Sequence, residues 1–110
     1  MAEKIKLVQG DTRPAIVCTL TDENTGAVIN LQGATPRLKF RAAGDSVLIA
    51  TLVGTVTDAA AGKCVFYPAS QPTMLQVDAG DYEGEIEITF SDGQVQTVYD
   101  LLKFKLRQEF

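Results

Sequence analysis

From Tyr82 to Phe90 every second residue is apolar or glycine (Tyr82, Gly84, Ile86, Ile88, Phe90), and the residues between them begin with Glu83, Glu85 and Glu87. Successive side chains of an extended chain point to opposite faces. The segment therefore reads as a β-strand with one dry face and one acidic face; a helix would scatter both sets around its circumference. Two other segments carry the complementary pattern. Leu38 and Phe40 alternate with Arg37, Lys39 and Arg41, and Leu102, Phe104 and Leu106 alternate with Lys103, Lys105 and Arg107. Opposite charges directly across neighbouring strands contribute roughly 0.2–1 kcal/mol per pair. All three stripes are best satisfied when the acidic strand lies between the two basic ones.

Period-two alternation recurs along the rest of the chain, while apolar residues at i, i+3, i+4 and i+7 are hard to find. Strands are expected at 4–9, 15–21, 36–41, 47–57, 63–67, 82–90 and 94–105, with Gly54 bulging or splitting the fourth. Polar turns separate them at 22–26, 43–45 and 58–62. Ser91, Asp92 and Gly93 close a hairpin, the Asp-Gly pair supplying the positive φ of a tight turn. Residues 68–80 are the one stretch with room for a helical turn, at 72–77. Hydrophobic residues make up 45% of the 110 and charged residues 22%, the balance of one globular domain spanning 1–110 with a single core.

About seven short strands suggest an all-β sandwich or barrel. The basic–acidic–basic order is that of strands C, F and G in an immunoglobulin-like antiparallel β-sandwich, the fold expected here, with 15–21, 47–53 and 63–67 left for the second sheet. Asp78-Ala79-Gly80-Asp81-Tyr82 resembles the Asp-x-Gly-x-Tyr lead into strand F of such domains. The resemblance implies a tyrosine corner in which the Tyr82 hydroxyl returns to nearby backbone. Gly84 stands where antibody domains carry a disulfide cysteine, and the chain has no tryptophan. The likeness is thus to the fold and not to secreted antibody domains.

Chemical resources are sparse. With no histidine, His-based triads and zinc sites are excluded. Cys18 and Cys64 lack metal-ligand spacing; they read as reduced core residues on neighbouring strands, with a cross-strand disulfide under oxidation as the less favoured alternative. No phosphate-cradling glycine motif is present. The carboxylates Asp78, Asp81, Glu83, Glu85 and Glu87 have two readings, a calcium site needing convergent oxygens or a solvated sheet face needing only basic neighbours. The second is favoured, since the cations are present in matching number. No enzyme activity, cofactor or metal is expected. The net charge of −4 argues against nucleic acid. Apolar runs are too short for a membrane span, and no signal-peptide core is seen at the N-terminus, so synthesis in the cytoplasm is expected. Most aromatics fall at inward positions; Tyr67, Tyr99 and Phe110 are the expected outsiders and potential interface anchors.

Several short segments resemble the N-terminal immunoglobulin-like domain of phage baseplate upper proteins. They are Lys6-Leu7-Val8-Gln9-Gly10-Asp11-Thr12, Leu20-Thr21-Asp22, Leu31-Gln32-Gly33-Ala34-Thr35, Ala61-Gly62-Lys63-Cys64-Val65-Phe66-Tyr67, Ala79-Gly80-Asp81-Tyr82 and Phe90-Ser91-Asp92-Gly93. The resemblance implies a virion structural protein that assembles into a tail or baseplate by contacts with other phage proteins, and many symmetric copies are expected in such an assembly. In that family further modules commonly follow the domain, whereas Phe110 comes directly after the last strand, which favours a small adaptor or decoration subunit of tail, neck or head. Contacts are expected at strand edges and at the loops 22–28, 42–46 and 68–81. The rival reading is a carbohydrate- or receptor-binding module on the particle surface.

Overall fold

Alternation carries most of the chain into strands. The computed structural model describes residues 4–110; residues 1–3 of the expected domain lie outside the described residues. The strands are β1 (Ile5–Val8), β2 (Ile16–Thr19), β3 (Thr35–Ala42), β4 (Leu48–Val53), β5 (Thr55–Asp58), β6 (Lys63–Phe66), β7 (Gly80–Thr89), β8 (Val95–Thr97) and β9 (Leu102–Arg107). They form two packed sheets, an immunoglobulin-like sandwich. The larger runs β1-β9-β7-β3-β4, with β8 beside β7, and the smaller runs β2-β6-β5. All pairings are antiparallel except β1 with β9, which is parallel.

The acidic strand β7 lies between the basic strands β3 and β9, with Glu83 opposite both Arg41 and Lys103. Three other expectations are corrected. Segment 47–53 belongs to the larger sheet and not the smaller one, because the tight turn after β3, in which Asp45 N–H donates to the Ala42 carbonyl, folds β4 straight back along β3. The chain changes sheets at Gly54, and β5 then pairs with β6. A Cβ at Gly54 would lie 2.7 Å from the Phe66 ring, so the crossing point has no room for a side chain. The strand expected at 94–105 is likewise two, β8 and β9, interrupted at 98–101. These two interruptions raise the count from about seven segments to nine.

The third correction concerns residues 68–81, expected as an exposed loop with one helical turn. Two 3₁₀ turns form, Pro68–Ser70 and Pro72–Leu75, each with proline in its first turn. Pro68, Met74 and Leu75 are buried, and Met74 and Leu75 belong to the sandwich core. Residues 22–28 and 43–46 are mostly exposed. Inside, Phe40 stacks on Tyr82 with centroids 5.1 Å apart and meets Phe104 edge-on at 5.3 Å. Leu38, Leu52, Phe66, Ile86 and Ile88 fill the space around them. Burying such side chains stabilises the fold by about 1.5–3 kcal/mol each relative to leaving them exposed.

Candidate interaction surfaces

The outer face of the larger sheet carries a ladder of charge. Glu83 is its centre: Arg41 Nη2 lies 2.6 Å from one carboxylate oxygen and Lys103 Nζ 3.4 Å from the other. Glu83 was expected to be solvated, yet it is only 6% exposed, because its two cations fold over it. Its carboxyl is held below the usual range, first by the hydrogen bond from Arg41. Asp81, shared by Lys4 and Lys105, is lowered for the same kind of reason, led by its bond from Lys4. Lys39 reaches along its strand to Glu87 at 3.1 Å, although Glu85 is directly across from it. Arg37 donates to the Thr89 hydroxyl. Glu85 has no ion pair among the described residues: Gly84 pairs with Leu102, the first residue of β9, so no cation of β9 stands opposite Glu85.

The tyrosine corner is present. The Tyr82 hydroxyl donates to the Asp78 carbonyl at the approach to β7, and burial pushes its phenol up. Gly80 lies between them at the start of the strand. Two residues further on, a Cβ at Gly84 would sit 2.6 Å from Leu38 Cδ1 and 3.0 Å from Phe104 Cε2. Those two side chains occupy the volume that a cysteine would need in antibody-type domains.

No family model matches the chain, and no curated protein does. Solved structures do match. The N-terminal domain of ORF48 of phage TP901-1 superposes with a TM-score of 0.64, over 98% of this chain and 86% of that one, at 17% identity. That likeness extends over both sheets and is one of fold.

Cys18 and Cys64 stand directly opposite each other on β2 and β6, buried and unbonded. Burial pushes the Cys18 thiol up to about 12, with Cys64 adding to the effect, and the Cys64 thiol up to about 11. They are inert at neutral pH. Among the described residues no group of His, Cys, Asp or Glu is arranged to hold a metal ion, and no helix is long and apolar enough to cross a membrane. Tyr67, Tyr99 and Phe110 are exposed, Tyr99 at 78%. Phe110 lies under the Arg107 guanidinium, 4.9 Å from its ring centre.

One surface escaped sequence reasoning. The segment from Lys4 through β1 alternates Lys4 and Lys6 with Ile5 and Leu7, the same code as β9, and β1 lies alongside β9. Every cation of the chain except Arg13 and Lys63 is therefore on the outer face of one sheet, where cations outnumber carboxylates. The chain as a whole is negative, so charge is segregated: most other described carboxylates sit in loops, turns and strand ends. The signal was the Lys4-Ile5-Lys6-Leu7 alternation; what hid it was the parallel pairing of β1, which no local pattern announces.

Proposed function

We propose that this chain is a structural component of a bacteriophage particle, an immunoglobulin-like module that takes its place in the tail or baseplate, or as a neck or head adaptor, through protein contacts and without catalysing a reaction. The observation that carries the reading is the superposition on the N-terminal domain of a phage protein along nearly the whole chain. The segments that resemble phage baseplate upper proteins support it from the sequence alone. So does the chemistry: the Glu83 and Glu87 carboxylates are spent on ion pairs across strands, and the buried thiols are inert. The partners in this reading are other virion proteins and further copies of the chain.

Mass spectrometry of purified particles from the source phage tests it. The chain is expected at a fixed ratio to a head or tail protein. Absence from particles sinks the reading.

A further inference from the structure

Besides the short β8, the two sheets end among the described residues at four edge strands, β1 and β4 on the larger and β2 and β5 on the smaller; β4 carries no charged residue and β5 only Asp58, so β1 and β2 are the edges that charge can match. β1 bounds the larger sheet and β2 the smaller, and because β1 pairs with β9, β2 has only β6 beside it. Both edges are four residues long. Their surroundings are opposite in charge. Beside β1, Lys6 stands directly across from Lys105, and Val8 from Arg107. A groove of about 260 Å³ with an apolar floor runs between them. Lys4 and Lys105 share Asp81, whereas Lys6 and Arg107 have no carboxylate among the described residues. Like charges set opposite each other on paired strands are destabilising, and a carboxylate arriving from outside removes that cost.

Beside β2, the interruption at 98–101 opens a recess of about 340 Å³ whose lining includes Val17, Val98, Leu101 and, deeper, Ile86. Glu23 and Asp100 also line it. Val17 is 73% exposed there, on a strand with one unpaired side.

We propose that the β1 edge of one copy docks on the β2 edge and 98–101 segment of the next, placing Lys6 and Arg107 against Glu23 and Asp100 and Val8 against Val17. The proposal rests on reading the chain as a repeated structural subunit and names the partner and both surfaces. Bare edges supply main-chain hydrogen bonds to an added strand. The charges decide which edge meets which: β1 against β1 sets cation on cation, and β2 against β2 sets carboxylate on carboxylate. Only the head-to-tail pairing satisfies both. A head-to-tail contact repeats, closing a ring or extending a filament.

Sedimentation velocity of the whole chain tests this. At about 0.05 M salt, concentration-dependent association is expected; at about 1 M, where the screening length falls to about 3 Å, it is lost. Lys6→Gln/Arg107→Gln and Glu23→Gln/Asp100→Asn, both confirmed as folded by circular dichroism, are each expected to be monomeric. Mixed in equal amounts they should form a one-to-one complex that grows no further, since each retains one competent edge. A wild type that stays monomeric at low salt up to millimolar concentration overturns the proposal, and means that the lysines merely guard β1 against pairing. Association abolished by only one of the two variants also overturns it. Particle mass spectrometry separates the two readings: the chain found in particles but monomeric in solution refutes this contact alone. Self-association of a chain absent from particles supports the contact and refutes the virion role.

Discussion

Glu83→Gln removes one charge from the centre of the ladder and keeps the shape of the side chain. Arg41 Nε donates to Glu83 at 2.8 Å and Lys103 Nζ at 3.4 Å. Hydrogen bonds to charged groups contribute roughly 1.5–3 kcal/mol each, but the Arg41 and Lys103 side chains are 38% and 46% exposed, and water recovers part of the loss. The long Lys103 contact adds little. A net destabilisation of about 1–2 kcal/mol is expected. With a urea dependence of about 1–3 kcal/mol per molar, the unfolding midpoint falls by roughly 0.3–2 M. The chain has no tryptophan, so far-ultraviolet circular dichroism is the suitable probe. Combined with Arg41→Met in a double-mutant cycle, the coupling should be about 1 kcal/mol. Glu85→Gln, lacking an ion pair among the described residues, should stay within about 0.5 kcal/mol of wild type. The pH dependence follows from the lowered carboxyl. Its stabilising contribution is present above the unfolded value near 4.5 and is lost as pH falls through the lower folded value. Wild type and Glu83→Gln should therefore converge in acid. Strict additivity with Arg41→Met, or equal losses from Glu83 and Glu85, would refute the assignment of Glu83 as the hub.

Three further outcomes are expected. Tyr82→Phe deletes the hydroxyl that bonds the Asp78 carbonyl and should cost about 1 kcal/mol, read as a drop of roughly 4–8 °C in thermal midpoint; an unchanged midpoint removes any role for the corner in stability. Gly84→Ala forces a methyl against Leu38 and Phe104 and should cost about 1–3 kcal/mol by urea unfolding, whereas a neutral result would mean that the core yields easily at its centre. At pH 8 the two thiols should react with a disulfide reagent only as fast as the protein opens. Because their folded values are raised to about 12 and about 11, the stability they contribute is intact below the ordinary value of 9.0 and is lost as pH rises through the folded values. Rapid labelling of the native protein at pH 8 would contradict their burial.

Strand identity was legible wherever a polar residue alternated with an apolar one, because burial on one face imposes that pattern directly. The position of β7 between β3 and β9 was legible from charge for the same local reason, since side chains across a ladder are neighbours. The Tyr82 corner was expected through the resemblance of its segment to immunoglobulin-like domains, and the structure supplies its partner, the Asp78 carbonyl four residues earlier. The partition of 47–57 between two sheets was not. Gly54 marked an irregularity, but whether it bulges within a sheet or crosses between sheets depends on Phe66, which fills the space beside it from another strand. The pairing within the ladder was only half legible. Backbone register set Glu85 across from Lys39, while a flexible lysine chose the carboxylate two residues along.

The sequence by itself determined that the chain is all-β, which faces of its strands are dry, and that the acidic strand lies between two basic ones. These follow from period-two alternation and nearest-neighbour charge, both local properties. Only the tertiary structure decided that β1 runs parallel to β9 and that the β2 edge is left bare beside the 98–101 break. It also decided that Met74 and Leu75, far from any strand pattern, are buried in the core. Those outcomes depend on which distant segments compete for the same edge or cavity, a competition settled by packing between residues remote in the chain.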